Sequence, residues 1–137
     1  MRLYVAAPFF TDAERAFNLV LARALEADGH HVYLAQRDTP TDARSGRTTT
    51  IFQANLAALG NVDAVVAVCD GSQVDDGTAW EIGYSYGKNI QSFGLRTDAR
   101  IAQRSDEPIH LMILESLSEL SLTVEQLVHT IRYAERP

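Results

Sequence analysis

The chain has 137 residues, 46% of them apolar, and a net charge of −6. This length suits one compact domain and is too short for two ordinary ones, so we predict a single domain over residues 1–137. The Lys and Arg residues are scattered, which excludes a basic stripe for nucleic acid or for an anionic membrane surface. No apolar run approaches membrane-spanning length, and the first residues do not read as a signal peptide, so we expect a cytoplasmic location.

The apolar pattern predicts strands that alternate with helices. We predict strands at residues 3–7, 31–35, 64–69 and 88–95, and helices from residue 11 or 12 to 28, at 51–59, from 78 onward and at 123–134. Residues 36–50 and 96–107 read as loops, and 108–114 as a short last strand or an extended segment. The alternation is typical of an α/β fold with a doubly wound, flavodoxin-like parallel sheet flanked by helices.

An acidic loop separates the strand at 64–69 from the next helix. Open α/β sheets bind ligands where a strand's carboxyl end meets a helix start, and Asp75, Asp76 and Glu81 lie there. Glu81 falls in the expected first helical turn, where the helix dipole favours the ionised form of a nucleophile. Asp75, beside the like charge of Asp76, suits the donor of a proton to a leaving group. The alternative is that Thr78 and Glu81 only form a capping box.

Two aromatic residues, Phe9 and Phe10, follow the first strand at the expected mouth of this crevice. They read either as lids on the core or as a platform that stacks on a flat heterocycle. The loop at 36–50 likewise reads either as a lid over the crevice or as a solvated connection.

Cysteine and histidine usage argues against disulfide and metal chemistry. Cys69 is the one cysteine, so no intrachain disulfide can form, and its place at a strand end is typical of a packed thiol. His30 and His31 are adjacent and therefore lack the i, i+4 spacing that puts two imidazoles on one helical face. We therefore predict no metal site.

Four segments of the chain share a pattern with one enzyme family. They are LYVAAPFF from Leu3, IFQANL from Ile51, DAVVAV from Asp63 and DDGTAWEIGY from Asp75. Together they resemble the nucleoside 2-deoxyribosyltransferase family, and the last segment is the most specific. The resemblance spans nearly the whole chain. It implies an enzyme that exchanges the base of a 2'-deoxynucleoside for another free base through a covalent deoxyribosyl ester, without a cofactor.

The resemblance implies three catalytic roles. Glu81 matches the family's nucleophile, Asp75 matches the acid that manages the proton on the base, and Tyr4 matches the tyrosine that orients the nucleophile. Two displacements at the same sugar carbon imply retention of configuration, with the two carboxyl groups about 5 Å apart.

The resemblance also implies substrate-binding residues. Phe9 matches an aromatic residue that stacks on the base, and Asn55 stands where some members carry an aspartate near the base. His110 stands where an asparagine reaches into a neighbouring subunit's site, and Met112 matches a position that lines the adjoining subunit's pocket, which implies a homo-oligomer. The predicted substrate-binding residues are Phe9, Phe10, Asn55, Asp76, Gly77, His110 and Met112.

Two other functions remain open. One is an N-glycosidase that uses the same carboxylates and lets water complete the reaction. Related hydrolases of 5'-monophosphates carry Ser, Gly and Arg after the first strand, whereas this chain reads AAPFF from Ala6, which favours an unphosphorylated nucleoside, although His110 could meet a phosphate as a cation. The other is a non-catalytic nucleotide-binding module, because doubly wound folds host many functions. The acids at the helix start, where a phosphate would need amides and cations, argue against such a module.

Overall fold

Five parallel strands form one sheet in the computed structural model, which describes residues 1–40, 48–98 and 109–134. The strands are β1 (Arg2–Ala6), β2 (His31–Leu34), β3 (Ala64–Val68), β4 (Gln91–Leu95) and β5 (Glu119–Ser121). They lie in the order β2-β1-β3-β4-β5, so the chain winds outward from β1 to β2 and then crosses back to β3. The predicted α/β class and doubly wound parallel sheet are confirmed.

Helices cover both faces of this sheet. They are α1 (Asp12–Ala27), α2 (Ala35–Asp38), α3 (Thr48–Leu59), α4 (Asp76–Gly87), α5 (Leu111–Leu114) and α6 (Val124–Ala134). A capping box starts α1, because the Thr11 hydroxyl accepts the amide of Glu14 and the Glu14 carboxylate accepts the amide of Thr11. Within the described ranges, no helix has the length and apolar character needed to cross a membrane.

Side chains that alternate along β1 divide the core in two. Leu3 points to the face covered by α1 and α6, where it packs in a cluster with Leu21. Tyr4 points to the opposite face, where α3 contributes Leu59 and α4 contributes Ile82 to its cluster. The fold therefore brings the side chain of Tyr4 to the α4 side of the sheet.

Two predicted boundaries next to helices are wrong. The strand predicted at 88–95 begins only at Gln91, because α4 continues to Gly87 and Asn89 then takes a left-handed conformation with φ of 57°. The loop predicted at 36–50 starts with the short helix α2, and α3 begins three residues earlier than predicted, at Thr48. Residues 41–47 and 99–107 of the predicted loops lie outside the described residues.

The last strand was predicted in the wrong place. Residues 111–114 form one helical turn, whose N-cap residue His110 accepts the amide of Met112 at Nδ1, at 3.3 Å. The strand that completes the sheet is β5, which is only three residues long and therefore too short to show an alternating pattern. Residue 108 lies outside the described ranges.

Arg96 ties the carboxyl ends of β3 and β4 together. Its guanidinium group is buried and donates to the carbonyl oxygens of Cys69, at 2.9 Å, and Gly71, at 3.0 Å. The segment after β3 in turn provides an acceptor for the segment after β4, because the Asp70 carboxylate accepts hydrogen bonds from the amide and the hydroxyl of Thr97. These bonds fix the backbone that leads from β3 toward the acidic segment before α4. Cys69 itself is fully buried, so the predicted packed thiol is confirmed.

We expect Arg96→Met to lower the free energy of unfolding by about 2 to 4 kcal/mol, because it leaves one buried and one partly buried carbonyl oxygen without their donor. Denaturant unfolding followed by circular dichroism measures the change. Arg23→Met is the matched control, because Arg23 is exposed on α1. Equal stabilities of the two variants would contradict this role of Arg96.

Candidate active site

The carboxyl ends of β1 and β3 meet where the chain reverses its winding direction. In doubly wound sheets this point forms a crevice that binds ligands. Strand β1 carries Tyr4 and leads to Phe9 and Phe10, and β3 leads through the acidic segment into α4, which carries Glu81. The two segments with predicted catalytic residues therefore converge at the switch point.

Asp75 is the N-cap residue of α4. Its Oδ2 accepts the amide of Thr78 at 3.0 Å and the hydroxyl of Thr78 at 3.3 Å. The alternative of a capping box between Thr78 and Glu81 is therefore wrong, because α4 starts at Asp76 and Asp75 is its cap. Asp76 is exposed, and its Oδ1 accepts the amide of Gly77 at 2.8 Å. The Asp75 carboxylate is thus held at the helix start instead of being free in a loop.

Tyr4 and Glu81 form the central contact of the site. The Tyr4 hydroxyl donates to Oε1 of Glu81 at 2.6 Å and so joins β1 to α4. Tyr4 is 1% exposed and Glu81 is partly buried. Burial raises the pKa of Tyr4, and the charge of Glu81 and the hydrogen bond to it raise this pKa further. Tyr4 therefore acts as a hydrogen-bond donor that keeps its proton.

The environment of Glu81 opposes its ionisation. Burial raises the pKa of Glu81 to about 7, against the lowering effect of the Tyr4 hydrogen bond, and the charge of Asp75 adds to the increase. The prediction that the helix dipole holds Glu81 ionised is therefore wrong. Because α4 begins at Asp76, Glu81 lies beyond the first turn, where the dipole is weak and the loss of hydration dominates. A carboxyl group with this pKa populates both protonation states near neutral pH.

A cavity of about 310 Å³ opens beside Glu81. Its other lining residues are Phe52, Asn55, Leu56, Leu59, Gly77 and Trp80. Trp80 packs edge-on against Phe52, with ring centroids 5.8 Å apart, and both rings are about half exposed. A Cβ atom at Gly77 would lie 3.2 Å from Oδ2 of Asp75, so glycine leaves room beside this carboxylate. The cavity therefore combines a mostly apolar wall with one ionisable group.

A second cavity, of about 520 Å³, adjoins the segment after β1. Its lining residues are Phe9, Phe10, Arg15, Ala35, Gln36, Thr39, Ile51 and Asn55. Asn55 lines both cavities and therefore lies between them. Phe9 and Phe10 are 41% and 77% exposed and their rings stack 6.2 Å apart, so they are not lids on the core and a flat ligand can reach them.

His110 and Met112 lie apart from both cavities. His110 lines a separate cavity of about 560 Å³ together with residues 72–74, and Met112 is 67% exposed. A residue that completes a neighbouring subunit's site needs an outward position of this kind. Their predicted role between subunits stays a prediction. A further cavity, of about 600 Å³, lies near Arg2 and His31, and neither Asp75 nor Glu81 lines it.

Sequence reasoning missed Tyr33, which contacts two predicted site residues. Its ring stacks on Tyr4, with centroids 5.4 Å apart, and its hydroxyl donates to Oδ1 of Asn55 at 3.1 Å. Thr39 Oγ1 lies 2.9 Å from the same Oδ1. The role of Tyr33 could have been inferred from the expected parallel pairing of β1 with β2, because paired residues on neighbouring strands point to the same face of the sheet. Trp80 and Phe52 lie in two of the four segments that resemble the family, but their place in the wall of a cavity could not be predicted from those segments.

Comparisons with known proteins bear on the family and the fold of the chain. The family model described as nucleoside 2-deoxyribosyltransferase matches residues 3–125, which confirms the predicted family. A conserved protein from Enterococcus faecalis is similar, with a TM-score of 0.84 and 23% identity over 98% of both chains. The 2-deoxyribosyltransferase from Bacillus psychrosaccharolyticus has a TM-score of 0.80 and 22% identity, over 93% of this chain and 90% of that one. The CMP N-glycosidase from Clostridium botulinum has a TM-score of 0.64 and 16% identity, over 98% and 99%. At these identities the structural likeness shows the fold alone, and no curated protein matches the chain.

The raised pKa of Glu81 has a measurable effect on stability. Between about pH 4.5 and pH 7 the folded chain holds a proton on Glu81 that the unfolded chain has lost, so the free energy of unfolding falls as the pH rises through this window. Glu81→Gln removes this titration. We therefore expect the free energy of unfolding of the variant, relative to that of the wild type, to increase by on the order of 2 to 3 kcal/mol from about pH 4 to about pH 8.

Urea unfolding at the two pH values measures this difference. Glu125→Gln is the matched control, because Glu125 is exposed on α6. A Glu81→Gln variant whose stability runs parallel to that of the wild type at all pH values would show that Glu81 is not desolvated.

Proposed function

Because the chain belongs to the nucleoside 2-deoxyribosyltransferase family, we propose that it moves a 2-deoxyribosyl group from one nucleobase to another, with Glu81 as the nucleophile. The observation that carries this proposal is the partly buried Glu81 carboxylate, which borders a cavity and accepts the Tyr4 hydroxyl at 2.6 Å. Asp75 at the start of the same helix supplies the second carboxylate. The coarser conclusion, an enzyme of the deoxyribosyltransferase type, follows from family membership.

The proposed reaction has two displacements at the anomeric carbon. In the first, ionised Glu81 attacks this carbon, the bond to the base nitrogen breaks, and Asp75 gives a proton to the departing base. In the second, a nitrogen of the incoming base attacks the same carbon, the ester bond to Glu81 breaks, and Asp75 takes the proton of the incoming base. Each displacement inverts the carbon, so the product retains the original configuration.

Tyr4 has a positioning and electrostatic role in this reaction. Its hydroxyl holds Oε1 of Glu81, which leaves the other carboxylate oxygen as the attacking atom. The same hydrogen bond lowers the pKa of Glu81 against the effect of burial. It therefore increases the fraction of the nucleophile that is ionised at neutral pH.

The surroundings of Glu81 favour an unphosphorylated nucleoside. The described residues that line the Glu81 cavity include no cation, and Asp75 and Asp76 add negative charge at the start of α4. The exposed rings of Phe9 and Phe10 suit a flat base in the adjoining cavity. We propose that the sugar binds beside Glu81 and the base toward Asn55 and these rings, with no cofactor.

We further propose that the active protein is a homo-oligomer. The outward positions of His110 and Met112 on the segment before and within α5 support a contribution to a neighbouring subunit's site. Analytical ultracentrifugation measures the oligomeric state. A strictly monomeric, fully active enzyme would contradict this part of the proposal.

A hydrolase is the second candidate function. The fold likeness to the CMP N-glycosidase from Clostridium botulinum favours it, since the same two carboxylates would serve when water attacks the ester. Incubation with deoxyuridine and free adenine separates the possibilities. New deoxyadenosine indicates transfer, free uracil alone indicates hydrolysis, and no change indicates a binding module.

We expect Glu81→Ala to reduce base exchange by several orders of magnitude, because no ester can form. Asp75→Asn should reduce exchange about 100-fold or more, because asparagine still caps a helix but cannot donate the proton. Initial rates of deoxyadenosine formation and thermal unfolding measure the two effects on each variant. Glu125→Gln on α6 controls for the loss of one carboxylate. Retained exchange in Glu81→Ala would refute the assignment of the nucleophile.

The ionisation of Glu81 should have its midpoint near neutral pH. A carbon-13 NMR titration of the Glu81 carboxyl group in the free protein should show this midpoint at about pH 7, because burial raises its pKa. Tyr4→Phe removes the hydrogen bond that lowers this pKa, so we expect its midpoint to shift to higher pH and its rate at neutral pH to fall. Tyr86→Phe, at an exposed position of α4, should keep the wild-type profile. A Tyr4→Phe midpoint at or below that of the wild type would contradict this explanation.

A further inference from the structure

We propose that Tyr33 is a positioning residue that holds the nucleophile pair and the cavity wall in one fixed arrangement. The inference rests on the function proposed above and assigns a role to a residue outside the catalytic motifs. Tyr33 lies on β2, the edge strand next to β1, and is partly buried. Its ring and its hydroxyl make two different contacts, and each contact leads to a different part of the candidate site.

The ring of Tyr33 supports Tyr4. The two residues are register partners on β1 and β2, and their rings stack at 5.4 Å with an angle of 14° between the planes. A stacked neighbour restricts the rotation of the Tyr4 ring and therefore the direction in which its hydroxyl points. This hydroxyl must reach Oε1 of Glu81 at 2.6 Å, so the stack acts on the nucleophile through Tyr4.

The hydroxyl of Tyr33 supports Asn55. It donates to Oδ1 of Asn55 at 3.1 Å, and Thr39 Oγ1 lies 2.9 Å from the same oxygen. Asn55 lines both the Glu81 cavity and the cavity of Phe9 and Phe10. The Thr39 hydroxyl also lies 2.7 Å from the carbonyl oxygen of Ala35, so the Tyr33 hydroxyl is the donor that restrains this amide.

This arrangement matters for base exchange because the incoming base must occupy the place that the first base left. A fixed relation between the ester on Glu81 and the wall at Asn55 keeps the incoming nitrogen aligned with the anomeric carbon. Tyr33 is connected to both ends, because it contacts Asn55 directly and reaches Glu81 through Tyr4. The ring of Tyr33 therefore affects the ionisation of Glu81, and its hydroxyl affects the binding of the base.

Few charged groups act on Glu81, so the effect of the ring can be isolated. Among the described residues, the titratable groups that act on Glu81 are Tyr4 from β1 and Asp75 at the start of α4. Tyr33 acts from β2 on Tyr4, and α3 presents the neutral Asn55 to the cavity. A substitution at Tyr33 therefore reaches Glu81 through Tyr4.

Two substitutions separate the ring from the hydroxyl. Tyr33→Phe keeps the stack and removes the hydroxyl, whereas Tyr33→Leu removes both. Tyr33→Met is a second non-aromatic variant in case Tyr33→Leu does not fold. Val32→Ala is the matched control, because Val32 lies on the same strand but packs against the core on the other face of the sheet. Each variant is measured by a carbon-13 NMR titration of the Glu81 carboxyl group in the free protein, and by KM and kcat for exchange between deoxyuridine and adenine.

We expect Tyr33→Phe to keep the titration midpoint of Glu81 and to raise KM about three- to tenfold with little change in kcat, because it loses a hydrogen bond that affects binding only. Tyr33→Leu should raise the midpoint by about half a unit or more, because Tyr4 is held less firmly, and should lower the rate at neutral pH. Val32→Ala should lose stability and move neither the midpoint nor KM.

Three results would overturn the proposal. These are an unchanged midpoint in Tyr33→Leu or Tyr33→Met, the same midpoint shift in Tyr33→Phe as in Tyr33→Leu, and an unchanged KM in Tyr33→Phe. A wild-type protein that neither exchanges nor hydrolyses nucleosides would instead overturn the proposed function. The NMR titration needs no substrate and still decides whether Tyr33 acts on Glu81, so the two failures are distinguishable.

Discussion

A single hydrogen bond, from the Tyr4 hydroxyl to Oε1 of Glu81, joins the strand at the switch point of the sheet to the helix that carries the candidate nucleophile. Removing a carboxylate from water is costly in free energy unless donors satisfy it, and Tyr4 is a donor that burial itself keeps protonated. Its partner titrates near neutral pH because the hydrogen bond only partly offsets the loss of hydration. Strand β1 pairs on both sides, with β2 and β3, so the donor has a rigid base. The geometry and the ionisation of the site therefore depend on the same contact.

The second carboxylate is positioned by secondary structure. Asp75 caps α4 through Oδ2, and the backbone that leads to it is tied to the end of β4 by Arg96 and Asp70. Because Asp75 starts the helix that also carries Glu81, the separation of the two carboxylates does not depend on the position of a mobile loop. A group that must give a proton to a base and later take one back needs such a fixed distance to the reacting atoms.

Sequence patterns predicted the features that neighbouring residues determine, and they missed the features that depend on packing between distant segments. The apolar runs of β1 and β3 and the motif around Glu81 are local features, so the sheet class and the main candidate residues could be read directly. The start of α4 was placed two residues too late, and this error made Glu81 a first-turn residue and hid the capping role of Asp75. The pKa of Glu81 could not be read, because burial by the surrounding elements decides it. Tyr33 was missed because its importance follows from the pairing register of two strands 29 positions apart, such as Arg2 with His31.

In the proposed reaction, transfer and hydrolysis share both carboxylates, so the choice between them must come from the walls of the cavities. A deoxyribosyl ester on Glu81 would react with water unless another group occupies the space beside it. Trp80 and Phe52 are half exposed at the Glu81 cavity, and Phe10 is more exposed still in the other one, so the described residues leave both spaces open. A flat base that covers Phe9 and Phe10 would fill the second cavity and displace water from its rings. The time that a base spends there, set by the aromatic rings and Asn55, would therefore decide how often the ester meets a base before it meets water.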